Sequence, residues 1–169
     1  MELLSIRHVS KSFLDHDSTV HAVTDVSLDI FPGEMIAIIG PSGSGKTTLL
    51  NLMGIVLAPD TGEILVDGQS TNHLNDSERC RIRNRYFGYI VQDFALIEED
   101  TASQNILVPT LYSRQRKSNA EYKKKMRSLA EKLQVADKLK TTVKNLSGGE
   151  RQRIAIIRSL ICDQQIILA

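Results

Sequence analysis

The chain of 169 residues has 21 basic and 20 acidic side chains and a formal net charge of +1 at pH 7. This balance argues against nucleic acid or an anionic membrane surface as the main partner. Its longest apolar runs are about five residues, whereas a membrane-spanning helix needs roughly 20. One domain is the default for this length, and the first residues, Met-Glu-Leu-Leu, lack the basic segment and long apolar stretch of a secretory signal, so none is expected. Cys80 and Cys162 lack metal-type spacing, which favours a reducing cytosol and a packing role for both.

The N-terminal part of the chain is predicted to be extended. Apolar and polar residues alternate over residues 25–30, as in a half-exposed strand. The polar residues 15–19 suit the tip of a hairpin. Residues 35–39 (Met-Ile-Ala-Ile-Ile) are apolar without alternation, which predicts a buried strand that is covered on both faces.

A glycine-rich turn follows, with the P-loop pattern Gly-x-x-x-x-Gly-Lys-Thr over residues 40–47. Its glycines let backbone N–H groups point at phosphate oxygens, and the helix that starts near Lys46 adds its positive dipole end. Lys46 is predicted to reach the β- and γ-phosphates, and Thr47 to bind Mg²⁺. An ordinary glycine turn is the alternative, which the flanking apolar strand and helix disfavour. The predicted phosphate-binding residues are Gly40, Pro41, Ser42, Gly43, Ser44, Gly45, Lys46, Thr47 and Thr48.

Further elements follow in chain order. Apolar residues over 49–57 fall on several sides of a predicted helix, which indicates deep burial. Residues 64–68 predict a strand and tight turn, and residues 87–91 a second buried strand with Gln92 at its end. Ser118 and Glu121 form a capping-box pattern before an apolar helical stripe. The lysines beside that stripe are interpreted as a solvated face rather than a lipid or nucleic-acid patch.

A second motif opens the last predicted helix. It consists of Leu146, Ser147, Gly148, Gly149 and Glu150. A capping box explains the serine and the glutamate. It does not explain two glycines, which cost up to about 1 kcal/mol each inside a helix but leave N–H groups open to an approaching anion.

The two motifs together resemble those of the ATP-binding subunits of ABC transporters, whose signature LSGGQ or LSGGE matches residues 146–150. The resemblance covers essentially the whole chain. It implies an α/β fold of ABC ATPase type, in which a P-loop NTPase (RecA-like) core is joined by an antiparallel β lobe and a helical lobe. Patterns at residues 20–23, 51–54 and 105–109 resemble the lipoprotein-release, macrolide-export and bacteriocin-export group.

The resemblance also implies boundaries within a single ATP-binding domain over residues 1–169. The antiparallel lobe takes 1–33 and 62–75, the P-loop core 34–58, 85–92 and 149–169, and the helical lobe with the signature 93–148.

In that family the signature of one subunit closes over ATP held by the P-loop of the other. The resemblance therefore implies ATP and Mg²⁺ as cofactors and a homo- or heterodimer, with Ser147, Gly148 and Gly149 on the γ-phosphate in trans. Phe13 matches the aromatic residue that stacks on adenine, with a buried strand phenylalanine as the alternative. Gln92 matches the Q-loop glutamine, which touches Mg²⁺ and the attacking water.

The implied partners are a second ATP-binding subunit and transmembrane permease subunits, without nucleic acid. They imply a peripheral location on the cytoplasmic face of the plasma (inner) membrane. ATP-driven transport through the permease is the favoured function. A soluble ABC-type ATPase that acts on ribosomes or DNA is one alternative, although the two motifs lie too close together for the long coiled coils of DNA-repair relatives. A truncated, non-hydrolysing nucleotide-binding module is another.

Hydrolysis by this design needs a carboxylate for Mg²⁺ and a glutamate for the attacking water. The resemblance places both directly after the strand that matches residues 166–169, where the sequence ends. Asp163 precedes that strand and would lie at its wrong end. We therefore expect no catalytic residue within a C-terminally truncated chain, weak or no nucleotide binding and no turnover by these 169 residues, and hydrolysis in the intact dimer.

Overall fold

The structure, a computed structural model, describes residues 1–15, 18–113 and 117–169. The chain separates into two compact units, Met1–Cys80 and Arg81–Ala169, and each is described by itself.

The first unit contains a four-stranded antiparallel sheet in the order β2-β1-β3-β4. Its strands are β1 (Leu4–Asp15), β2 (Ser18–Ile30), β3 (Thr61–Val66) and β4 (Gln69–Ser70). The predicted strands at 25–30 and 64–66 are confirmed, as is the turn at Asp67 and Gly68, where both residues have positive φ. Residues 16 and 17 of the predicted hairpin tip lie outside the described residues, and Asp15 pairs with Ser18 beside them.

Helix α1 (Lys46–Met53) follows the glycine-rich turn. Leu52, Met53 and Ile55 are buried, so one side of this segment contributes to the core. Val56 is exposed, and the prediction of deep burial on several sides is therefore wrong there.

The prediction of a buried strand at residues 35–39 is wrong. The segment is not a strand, and Met35 and Ile39 are 99% and 89% exposed. A strand needs neighbouring strands that pair its N–H and C=O groups. Within the described residues, neither sheet includes this segment. An apolar run predicts burial only where such partners also cover both of its faces.

The second unit contains a parallel pair of strands, β5 (Phe87–Tyr89) and β6 (Ile166–Leu168), in which Phe87 pairs with Ile166. The strand predicted at 87–91 is thus shorter than expected, and Val91 is 40% exposed. The helices are α2 (Asp76–Tyr86), which leads from the first unit into β5, and α3 (Ala102–Leu107), α4 (Asn119–Lys132) and α5 (Gly148–Leu160). Short 3₁₀ turns lie at Val108–Leu111, Ala136–Lys138 and Val143–Asn145.

Helices α3, α4 and α5 share one apolar core. Its buried members include Ile106, Tyr122, Met126, Ile154, Ile157 and Ile161. The predicted capping box at the start of α4 is confirmed, because the Glu121 carboxylate accepts the Ser118 N–H at 2.7 Å and the Ser118 hydroxyl accepts the Glu121 N–H at 3.3 Å. Lys123 and Lys124 are exposed, as expected of a solvated face. Lys125 is instead half-buried and donates to the Leu160 carbonyl and the Asp163 carboxylate, so the prediction is wrong for Lys125.

The structure tests the packing role predicted for the two cysteines and the prediction that no segment is long and apolar enough to span a membrane. Cys162 is buried, which agrees with a packing role, whereas Cys80 is exposed, so the packing role predicted for Cys80 is wrong. In the described ranges, every helix is too short or too polar to cross a membrane.

Strand β5 lies against α5 at Gly88. A Cβ added to Gly88 would overlap the carbonyl oxygen of Ser159 and lie 2.8 Å from Ile167 Cδ1. Because overpacking costs typically about 1–3 kcal/mol, we predict that Gly88→Ala lowers the free energy of unfolding by about 2 kcal/mol, measured by urea titration. At Gly149, a Cβ would come no closer than 3.6 Å, to Arg153. Gly149→Ala is therefore the control and should be neutral or stabilising; equal losses in both variants would contradict this packing.

Candidate functional site

The predicted P-loop is an exposed turn that leads directly into α1. Gly43 and Gly45 have φ values of +79° and +85°, a region that side-chain-bearing residues rarely adopt. Gly45 is constrained twice, because an added Cβ would also overlap the carbonyl oxygen of Ala22 on β2. A glycine is therefore required at position 45 for two reasons: the left-handed backbone conformation and the close approach of the Ala22 carbonyl oxygen.

The start of α1 is suited to an anion. Its N-cap is Gly45, which provides no side-chain hydrogen bond, and its first turn contains no acidic residue. The first intrahelical bond to this cap runs from the Leu49 N–H to the Gly45 carbonyl at 2.8 Å. The N–H groups of the first turn have no intrahelical acceptors, and the positive end of the helix dipole lies at the same place.

Lys46 folds back onto the turn. Its Nζ donates to the carbonyl oxygens of Gly40 at 3.0 Å and Pro41 at 2.7 Å. The ammonium group is thus held beside the loop that would receive phosphate. Thr47, one residue further, is exposed on the first turn of α1, where its hydroxyl is accessible to a ligand.

Phe13 lies on β1 with 41% of its surface exposed. This exposure disagrees with the alternative of a buried strand phenylalanine. Lys11 Nζ lies 5.7 Å from the centroid of the Phe13 ring and 2.6 Å from Asp60 Oδ1. The Lys11 hydrogen bond, together with the Ser12 N–H, lowers the pKa of Asp60. One face of the strand therefore presents an accessible aromatic ring beside a fixed charge pair.

The signature residues form the start of α5. Ser147 is the N-cap; its hydroxyl accepts the Glu150 N–H at 3.3 Å, and the Glu150 carboxylate accepts the Ser147 N–H at 2.8 Å. These bonds from Ser147 lower the pKa of Glu150, with Lys138 Nζ contributing from 3.4 Å. Leu146 is buried below this cap. The capping box predicted from the sequence is confirmed.

The two signature glycines are not required by the fold of this chain. Both are exposed, and neither has positive φ. Within the described residues, a Cβ added at Gly148 would meet no heavy atom within 4 Å. The space above the start of α5 is therefore open to close approach from outside.

Gln92 is exposed and follows β5 by three residues. The turn after it contains Phe94 and Ala95, whose φ values are 59° and 44°. Arg158 of α5 donates to both of their carbonyl oxygens, at 2.6 Å and 2.5 Å. Burial lowers the pKa of Arg158. Sequence reasoning did not identify Arg158; the only signal was an arginine within the apolar face of a helix.

The predicted site residues divide between the two units. Phe13 and residues 40–48 belong to the first, and Gln92 with residues 146–150 to the second. Across the described ranges, the structure contains no cluster of three or more His, Cys, Asp or Glu side chains that could hold a metal ion.

Comparisons with known proteins identify the family. Residues 23–169 match the family described as ABC transporter. The chain is 38% identical over 167 residues to the lipoprotein-releasing system ATP-binding protein LolD of Shewanella frigidimarina (strain NCIMB 400), covering 99% of this chain and 69% of that protein. It is also 38% identical over 167 residues to the macrolide export ATP-binding/permease protein MacB of Brucella abortus (strain 2308), covering 99% of this chain and 26% of that protein.

A solved structure agrees with these relatives. The dimeric structure of a post-hydrolysis state of the ATP-binding cassette MJ0796 bound to ADP and Pi matches with a TM-score of 0.89 and 34% identity. The match covers 97% of this chain and 72% of that one. The chain belongs to the ABC transporter family and has the α/β fold of its ATPase cassettes. Within that family it is close to the ATP-binding protein LolD and to part of the ATP-binding/permease protein MacB, which confirms the resemblance drawn from the motifs.

The contrast between Gly45 and Gly43 tests the geometry of the loop. We predict that Gly45→Ala lowers the free energy of unfolding by about 2 kcal/mol or more, because left-handed backbone costs roughly 1–2 kcal/mol and the new Cβ also overlaps Ala22. Gly43→Ala should cost only about 1 kcal/mol, since its Cβ would enter open space. Thermal and urea unfolding of both variants measure this difference. A loss at Gly43 as large as that at Gly45 would contradict the close approach to β2.

Proposed function

We propose that this chain is the ATP-binding subunit of an ABC exporter, which binds MgATP and, in the intact dimeric protein, hydrolyses ATP to drive transport through a partner permease. The observation that carries the proposal is the P-loop. A turn shaped by left-handed glycines, a helix start without side-chain caps and a lysine beside the turn converge on one anion-binding geometry.

Each group at the loop has a defined role in this proposal. The N–H groups at the start of α1 hold phosphate oxygens. Lys46 exchanges its bonds to Gly40 and Pro41 for the β- and γ-phosphates, so the loop carbonyls hold the ammonium in place beforehand. The exposed hydroxyl of Thr47 is a hard oxygen ligand of the kind Mg²⁺ prefers. Mg²⁺, when bound, neutralises charge on the phosphates. Phe13 presents its exposed ring to adenine.

The signature is proposed to act on the ATP of a second subunit. Gly148 and Gly149 weaken the first turn of α5, yet no neighbour in the described chain requires them to lack a side chain. Close approach of a γ-phosphate from another subunit explains them, with Ser147 beside it at the N-terminus of α5. Gln92 is proposed to contact Mg²⁺ and the attacking water.

The names of the relatives support transport over the alternatives. One is a lipoprotein-releasing system ATP-binding protein and the other a macrolide export ATP-binding/permease protein. We therefore propose transmembrane permease partners and a peripheral location on the cytoplasmic face of the plasma membrane. Neither name supports an action on ribosomes or DNA.

Catalysis is proposed for the intact dimer. Hydrolysis there needs a carboxylate for Mg²⁺ and a glutamate for the attacking water, and the match of residues 23–169 to the ABC transporter family supports this part of the proposal.

The mutation Lys46→Ala tests the proposed binding site. Charge-assisted hydrogen bonds contribute roughly 1.5–3 kcal/mol each, so we predict MgATP affinity about ten- to a hundredfold lower. Titration calorimetry at millimolar nucleotide measures it in the 169-residue chain. Lys124→Ala, which removes an exposed lysine on α4, is the matched control and should bind as the wild type does. Equal affinity in the wild type and Lys46→Ala would contradict the assignment.

A further inference from the structure

The turn that follows Gln92 is strained. Phe94 and Ala95 are consecutive residues with φ values of 59° and 44°. Left-handed backbone costs a side-chain-bearing residue roughly 1–2 kcal/mol. Such a conformation persists only where surrounding contacts hold it.

Four hydrogen bonds hold this turn. The Phe94 N–H donates to the Val91 carbonyl at 2.9 Å, and the Ala95 N–H donates to the Asp93 carbonyl at 2.6 Å. The other two come from a distant element, since Arg158 Nη2 donates to the Phe94 carbonyl at 2.6 Å and Arg158 Nη1 to the Ala95 carbonyl at 2.5 Å. Both carbonyls that the left-handed turn presents are thus bound by one guanidinium group.

An arginine suits this arrangement. Two separate nitrogens of its planar fork each donate to one of the two adjacent carbonyl oxygens, whereas an ammonium group would have to serve both oxygens from one nitrogen. In the part of the chain that the structure describes, Arg158 pairs with no carboxylate. Its side chain is partly buried, and the two carbonyl dipoles stabilise its charge there.

The chain beyond the turn is attached to the residues that precede the signature. The Val143 N–H donates to the Asp100 carbonyl at 2.9 Å, and the Lys144 N–H donates to the Glu98 carbonyl at 3.1 Å. Arg151 Nη1 lies 3.2 Å from Glu98 Oε1. Residues 94–100 are therefore joined to the α5 region at both ends, by Arg158 at one and by the loop before α5 at the other.

We propose that Arg158 is a positioning residue, which holds residues 94–95 in their left-handed turn and thereby fixes Gln92 relative to the start of α5. Gln92 is only two residues from this turn, and the signature is the start of the helix that carries Arg158. The significance of Gln92 rests on the proposed function, whereas the contact of Arg158 with the turn does not.

Hydrogen exchange of the nucleotide-free chain tests the contact. Loss of one charge-assisted hydrogen bond, about 1.5–3 kcal/mol, corresponds to a ten- to hundredfold change in local opening. We expect Arg158→Lys to accelerate exchange of the amides of Phe94 and Ala95 by at least about tenfold, with α3 and α4 unchanged. Arg127→Lys, on the exposed face of α4, is the matched control and should leave the turn unchanged.

A second variant separates positioning from general stability. Ala95→Gly removes the left-handed strain at one of the two residues. The turn then depends less on the hydrogen bonds from Arg158 to keep its conformation. In the double variant Arg158→Lys with Ala95→Gly, exchange at Phe94 should be several-fold slower than in Arg158→Lys alone, by the roughly 1 kcal/mol that this strain represents. A merely structural role predicts no such rescue.

The proposal is overturned if Arg158→Lys leaves exchange at residues 94–95 unchanged, if exchange rises equally throughout Arg81–Ala169, or if Ala95→Gly gives no rescue. These measurements use no nucleotide. Failure of the proposed function would instead be seen as unchanged MgATP affinity in Lys46→Ala, with the exchange results unaffected.

Discussion

Helix α5 packs its fully buried Ile154 and Ile157, together with Ile161 directly after its last residue, into the core shared with α3 and α4. Burial of such side chains is worth roughly 1.5–3 kcal/mol each, and this packing fixes the axis of the helix. On another side, Gly88 allows β5 to approach the helix backbone. The position of α5 in turn determines where the signature lies and which segment Arg158 can reach. The functional features of the second unit therefore depend on one buried helix.

The first unit uses a different constraint. Its candidate site is a turn that presents backbone groups. Two contacts fix the conformation of that turn: the packing of Gly45 against Ala22 of β2, and the hydrogen bonds from Lys46 to the loop carbonyls. Both α1 and α5 begin next to glycines that leave backbone N–H groups accessible. The two helices differ in whether the fold of the chain requires those glycines. At α1 the glycines are required by the fold, whereas at α5 the fold does not require them. That difference is the physical argument for a partner at the second site.

Local patterns were predictable and distant pairings were not. The capping box of Ser147 and Glu150 depends on residues three positions apart, and the sequence alone predicted it. Arg158 was missed because its acceptors lie 63 and 64 residues away and are backbone carbonyls, which carry no side-chain signal. The strand predicted at 35–39 was wrong for a related reason: pairing decides whether an apolar run becomes a strand, and composition does not reveal the partner.

ATP on the P-loop of one subunit is proposed to lie beneath the signature of another. The most direct test mixes two chains, one with Ser42→Cys and one with Gly148→Cys, both in a Cys80→Ser background because Cys80 is exposed. A short bis-maleimide should cross-link the two chains at saturating MgATP and not without nucleotide. Two chains that both carry Ser42→Cys should not cross-link. Cross-linking that is absent with MgATP, or equal without it, would contradict a signature that acts in trans.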